Sequence, residues 1–253
     1  MPDVAIERID DGLFLASRPL DEGIDVRAAL LIGATRAVVI DTLTRPADMI
    51  GFAEIIRERR LPCTVIDTHA DWDHAWGNGA FPQATIVGHA RCRMRLLSAA
   101  ARDELRRKSR ERPGFFDAVR LVPPTATFET EMTVDAGGLE VQLHHVPGHT
   151  ADSIVVYVPK RQTLFVGDCA ESPFPLLESG PLDEWIAHLR AWARADVTTV
   201  IPAHGPISGP ELLDDNAAYL GALRSAPPSP VDAPEFYVEA HRRNVDAARS
   251  NVI

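Results

Sequence analysis

The sequence predicts an α/β or α+β layered domain, on two observations. Short apolar runs of β character recur along the chain: GLFLA, AALLIG, AVVID, CTVIDTH, ATIVG, LEVQLHHV, SIVVYV, TLFVGD and TTVIPAH. Strands dominate at first, and then strands and helices alternate, the order expected of sheets covered by helices. The length agrees, since 253 residues that are 45% hydrophobic suffice for one large single-core domain.

Each helix has its own signal. Residues 46–60 start with Pro46 and end in three arginines and one glutamate, with bases favoured at a helix C-terminus. Residues 90–111 form one helical pattern, with Met94, Leu97, Ala101 and Leu105 as an apolar stripe and Arg91, Arg95, Arg102 and Arg106 along a face beside it. Residues 182–194 align Trp185, Leu189 and Trp192, and a further helix, 210–224, starts after Gly209-Pro210. DAGGLEV reads as a hairpin, because Gly137 and Gly138 can supply positive φ, and VPKRQTLFV as a second turn between strands. The stretch 225–236 (SAPPSPVDAPEF) is linker-like, and a terminal helix over 234–249 is expected to pack on the same domain. This gives a main domain over 1–224 and a linker and helix over 225–253.

Composition removes several function classes. The formal net charge of -10 disfavours general nucleic-acid binding. Residues 91–120 depart from it, with ten Lys or Arg against four Asp or Glu, a local +6. If that stretch overhangs the site it attracts an anionic substrate; otherwise it is a solvated face. No apolar run reaches the roughly 18 residues needed to span a bilayer. The first residues, MPDVAIERIDDG, carry acids where a signal peptide needs bases, so a cytoplasmic protein without membrane association is expected. Cys63, Cys92 and Cys169 are odd in number and form no Cys-x-x-Cys pair, which fits free thiols in a reducing compartment.

The chemical signal lies at strand ends. His69 follows CTVIDT, His149 follows HHVPG, Asp168 follows TLFVG and His204 follows TTVIPA. A strand end is rigid in backbone and open at its tip, and sites in layered sheets collect there. The segment DTHADWDHAWGN adds Asp71, Asp73 and His74. Imidazole with carboxylate suits zinc, iron or manganese, and no cysteine is placed as a ligand. His69, Asp71, Asp73, His74, His149, Asp168 and His204 exceed one tetrahedral ion and are the right number for two ions sharing a bridging carboxylate.

With His69-x-Asp71-x-Asp73-His74, Gly148-His149-Thr150, Gly167-Asp168, Ala203-His204-Gly205 and Asp41 in VVIDT, the chain resembles the metallo-β-lactamase superfamily from about residue 12 to about 222. The resemblance implies an αββα four-layer sandwich of two mixed β-sheets flanked by helices. It implies a first metal site of His69, position 71 and His149, a second of Asp73, His74 and His204, and Asp168 as the bridge. It makes Asp73 the catalytic carboxylate, places Asp41 beneath the metal loop and Cys169 beside the bridge, and implies a metal-bridged water or hydroxide as nucleophile. The function implied is a dinuclear metallo-hydrolase acting on a small ester, thioester, lactone, amide or phosphoester. Asp71 departs from the family, which has histidine there. Zinc is the family's ion, whereas the extra carboxylate favours iron or manganese, as in the flavodiiron proteins, which have Glu at that position. A non-haem di-iron redox protein and a non-catalytic metal-binding member of the fold are therefore the rival readings.

Lesser candidates complete the reading. His89 could edge the pocket. His144 and His145 face opposite sides of one strand, and Trp72 and Trp76 wall the metal loop. Thr150 and Ser153 could bond groups behind the ligands. The loop 171–180 (ESPFPLLESG) borders the pocket, where loops set specificity.

Overall fold

The computed structural model describes residues 4–20, 23–225 and 234–249. The chain divides into two compact units, one of Met1–Arg18 and Val26–Glu140, the other of Pro19–Asp25 and Val141–Ile253.

The first unit carries a seven-stranded mixed sheet. Its strands are β1 (Ala5–Asp10), β2 (Leu13–Pro19), β3 (Asp25–Ile32), β4 (Ala37–Ile40), β5 (Cys63–Ile66), β6 (Thr85–His89) and β7 (Ala126–Phe128), in that spatial order. β1–β2 and β3–β4 pair antiparallel, and β4 to β7 run parallel. The parallel strands explain the unbroken apolar runs: β4 is buried at every position and β5 at all but its first, as strands covered on both faces must be. β1 is exposed along its whole length at the sheet edge, where its alternating charges discourage pairing with another chain.

Helix α1 (Ile50–Arg59) follows a 3₁₀ turn at Pro46–Met49 and stops at Arg60, which takes the left-handed conformation with φ 54°. The single helix expected over 90–111 is two: α2 (Ala90–Leu97) and α3 (Ala99–Glu111). Ser98 makes the break. Its extended backbone ends α2, and its Oγ accepts from the Ala101 amide to cap α3. The stripe changes accordingly. α2 buries Cys92 and Leu96, while Met94 and Leu97 stay exposed and α3 buries no residue. The four arginines also part company. Arg102 donates to the Leu97 carbonyl and Arg106 pairs with Asp103, whereas Arg95 reaches Asp71. After β8 (Glu131–Asp135), Gly137 and Gly138 both have positive φ and both donate to Asp135 Oδ1, the expected turn chemistry.

The second unit is built on β9 (Glu140–His145), β10 (Ile154–Val158), β11 (Thr163–Gly167) and β12 (Thr199–Pro202), in the spatial order β12-β11-β10-β9. β9–β10 and β10–β11 are antiparallel, and β11–β12 is parallel. Helices α4 (Leu182–Trp192), α5 (Glu211–Ala222) and α6 (Glu235–Arg249) complete it. Its core joins Val155, Leu164 and Val166 of the strands to Trp185, Leu189, Leu213 and Leu220 of α4 and α5 and to Tyr237, Ala240 and Ala248 of α6. α6 packs on this unit, and most of the stretch 225–236 lies outside the described residues. Among the described residues, no helix is long and apolar enough to cross a membrane.

Candidate metal centre

In the first unit, parallel pairing places the candidate residues. The β4–β5 register continues past both strands, with Asp41 N bonded to Ile66 O, and Asp67 N bonds to Val87 O. Asp41 and Thr68 therefore emerge side by side at the carboxyl edge, where ligands of parallel sheets bind. Asp41 is buried and takes φ 59°, in the left-handed region that Asp and Asn tolerate better than most residues. Its Oδ1 accepts from the Thr68 amide at 2.8 Å, and its Oδ2 accepts from Thr68 Oγ1 at 2.8 Å and His74 Nδ1 at 2.9 Å. The loop is bolted down from behind. Thr42 N donates to His74 O at 2.6 Å, Thr42 Oγ1 lies 2.9 Å from Asn78 Oδ1, and Asn78 Nδ2 donates to Asp67 Oδ2 and Val122 O.

These bonds assign the imidazole protons. His74 gives its Nδ1 proton to Asp41. His69 Nδ1 lies 3.0 Å from Thr68 Oγ1, whose own proton is committed to Asp41, so His69 also carries its proton on Nδ1. Both rings, 4.0 Å apart between centroids, present the Nε2 lone pair. His69 Nε2 faces Asp71 Oδ2 at 3.4 Å, and His74 Nε2 faces Asp73 Oδ1 at 3.8 Å.

Asp71 has a second partner that sequence reasoning did not supply. Arg95 of α2 contacts Asp71 Oδ1, while Oδ2 faces His69. The negative charge added at position 71 thus arrives with a neutralising guanidinium. Lys108 of α3 sits 3.5 Å from the Trp72 ring centroid, and Trp72, Trp76 and Phe116 pack edge to face beside the loop. Glu104 of α3 has its carboxyl pushed up by burial and by the Asp71 charge.

In the second unit, the parallel β11–β12 pair performs the same service. Gly167 is in register with Pro202 and Ala203 N donates to Gly167 O, so Asp168 and His204 leave the sheet together. His204 Nδ1 donates to Asp25 O at 2.5 Å, and its Nε2 faces Asp168 Oδ2 at 3.3 Å. His149 Nδ1 donates to Leu176 O at 2.9 Å, and its Nε2 faces the same Asp168 oxygen at 3.7 Å. The expected pocket-edge loop is the clasp on His149. Beyond the Leu176 contact, the Glu178 and Ser179 amides both donate to the His149 carbonyl. Gly148 and Gly180 permit that approach, since a Cβ at Gly180 would stand 1.9 Å from Gly148 O and one at Gly148 would stand 2.4 Å from Trp185 Cγ. Gly180→Ala is expected to destabilise the protein by about 1–3 kcal/mol in denaturant unfolding, the usual cost of overpacking. Gly221→Ala, with nothing within 4 Å of its Cβ in α5, serves as the control and is expected to stabilise by up to about 1 kcal/mol.

Within each unit, two histidines hold a proton on Nδ1 and turn an Nε2 lone pair towards carboxylate oxygens, at 3.4 and 3.8 Å in the first and 3.7 and 3.3 Å in the second. Lone pair against carboxylate is repulsive by itself and becomes favourable with a cation among them, so this donor set fits a metal-ligating role. His89 caps α2 through Nδ1 and bonds Glu129 O through Nε2. His145 bonds Ala151 O, and His144 packs on Trp192. Thr150 and Ser153 bond each other. The Cys169 thiol lies in the core at 3.6 Å from Val146 O.

The chain was compared with known proteins. The family model described as the metallo-beta-lactamase superfamily matches residues 23–204. Among curated proteins, the human and bovine acyl-coenzyme A thioesterase MBLAC2 are each 24% identical over 207 residues, 74% of this chain and 71% of theirs. A putative transcription factor, avaE of Aspergillus versicolor, is 30% identical over 140 residues, 53% of this chain and only 40% of its own length. Solved structures include a metallo-beta-lactamase from Pontibacter korlensis (TM-score 0.66, 19% identity) and the DIM-1 metallo-beta-lactamase (TM-score 0.66, 20% identity). Each is covered over 87% of this chain, and over 99% and 98% of theirs. At that identity they show the fold, an α/β fold of two mixed sheets with helices.

Proposed function

This chain belongs to the metallo-beta-lactamase superfamily, a superfamily of metallo-hydrolases, and from that premise we propose that it is a dinuclear hydrolase of a small anionic thioester or related ester. The observation that carries the proposal is the set of four Nδ1-protonated histidines with Nε2 facing Asp71, Asp73 and Asp168. By the family pattern, His69, Asp71 and His149 would hold one ion, Asp73, His74 and His204 the other, and Asp168 would bridge. Two divalent ions in such a site acidify a water and polarise the carbonyl or phosphoryl oxygen of a substrate. The chain's own residues do the rest. Asp41 and Thr68 orient His69 and His74, and the 176–179 loop and Asp25 orient His149 and His204. Trp72, Trp76 and Phe116 keep that side of the loop dry.

Zinc is the ion we assign, because Arg95 offsets the carboxylate that would otherwise favour iron or manganese. A thioester leads the substrate classes because relatives matched over 74% of the chain, the human and bovine MBLAC2, are acyl-coenzyme A thioesterases by name. Lys108, over the Trp72 ring beside the metal loop, suits an anionic substrate. The three free cysteines suit an intracellular, reducing location. The test is metal analysis of protein made without added metal, followed by a panel of thioesters, esters, lactones, amides and phosphoesters with zinc, manganese and iron. About two zinc ions per chain and hydrolysis of a thioester are expected. Iron with a spin-resonance signal would replace this reading with the di-iron redox protein, and bound metal with no turnover would replace it with a binding protein.

A further inference from the structure

The clasp on His149 is held in turn by a residue beyond the family match, which ends at residue 204. Asn244 on α6 is buried. Its side chain brackets Leu176 from both sides, accepting from the Leu177 amide at 2.8 Å and donating to the Pro175 carbonyl at 2.8 Å. The carbonyl between them, Leu176 O, takes the His149 Nδ1 proton at 2.9 Å. The second amide proton of Asn244 goes to Tyr219 OH at 3.2 Å, and that hydroxyl lies 3.0 Å from His241 Nδ1. Phe174, at the start of the clasp, stacks on Tyr219 at 4.2 Å and meets Tyr237 and His241 edge-on.

A buried amide that is bonded on all sides fixes backbone direction, because rotating the 175–177 peptides would strand two buried groups. The direction of the Leu176 carbonyl decides whether the neutral His149 ring keeps its proton on Nδ1, and with it which nitrogen is presented. A purely structural Asn244 would need no such alignment on one carbonyl.

We propose that Asn244 is a positioning residue for His149: by fixing Leu176 O it sets the tautomer and orientation of that imidazole, so α6 is part of the candidate centre's support. This rests on His149 being a ligand as read above, and the experiment has one arm independent of metal. In the full-length, metal-free protein at a pH where imidazoles are neutral, side-chain nitrogen shifts should show His149 wholly as the Nδ1–H tautomer. Asn244→Leu, close in shape and without hydrogen bonds, should give a tautomer mixture and, with zinc titrated against a chelator, a roughly 10–100-fold weaker binding of one ion. Leu223→Ala, a core change in the same unit, should lower stability and move neither readout. Asn244→Asp keeps the acceptor for the Leu177 amide, gives an intermediate shift, and stands in if the leucine variant does not fold. A single Nδ1–H tautomer in both Asn244 variants overturns the proposal, as does an equal shift in Leu223→Ala. If the wild type binds no zinc, the ligand reading fails, and the tautomer arm still decides the role of Asn244.

Discussion

Asp41→Asn is expected to leave the fold nearly intact and to weaken metal binding by roughly 10–100-fold, the cost usual for groups behind a ligand. The amide tolerates the left-handed φ of 59° and keeps a carbonyl oxygen for the Thr68 amide. It puts an NH₂ where Asp41 Oδ2 accepted the His74 proton at 2.9 Å. His74 must then accept through Nδ1 and carry its proton on Nε2, the nitrogen the reading needs bare. Asp41→Ala goes further, because the Thr68 amide loses a buried partner and alanine sits poorly at positive φ. A loss of about 2–4 kcal/mol is expected from that unsatisfied group and backbone strain. Chelator competition and denaturant unfolding on both variants separate the two effects. Wild-type affinity in Asp41→Asn would show that Asp41 does not govern His74.

Asp71→Ala should cost more than 100-fold in the affinity of the ion at His69, beyond what outer groups contribute. It removes a proposed ligand and leaves Arg95 without that carboxylate, a positive charge turned towards a cation site. The double variant Asp71→Ala/Arg95→Met should regain about tenfold, an interaction of ordinary size for residues in contact. Asp71→His should bind zinc best when combined with Arg95→Met, since imidazole needs no counter-charge. Unchanged stoichiometry and occupancy in Asp71→Ala would sink the ligand assignment.

The strand ends were legible because their signal is local. An apolar run stopping at His69, Asp168 or His204 announces both the strand and its end. The helix over 90–111 misled because its 3.6-residue period survives the break at Ser98, where extended backbone ends α2 and the serine hydroxyl caps α3, and α2 buries Cys92 and Leu96 rather than Met94 and Leu97. The Arg95–Asp71 pair joins residues 24 apart, and the fold alone decides that partnership. Asn244 left a trace that could have been read. Tyr237, Ala240, Asn244 and Ala248 form the buried stripe of α6, and a lone amide in such a stripe needs buried partners. Nothing local names those partners, which lie 25, 67 and 69 residues away.

The clasp around His149 also has an order in time. Synthesis runs from the N-terminus, so His149 and the 175–180 loop leave the ribosome well before Asn244 does. Until α6 has emerged and docked, the Leu176 carbonyl lacks the amide that aims it. On the proposed reading, a ligand at His149 is expected to reach its full affinity only once α6 has docked, so loading there before that point is expected to be weaker by the same roughly 10–100-fold.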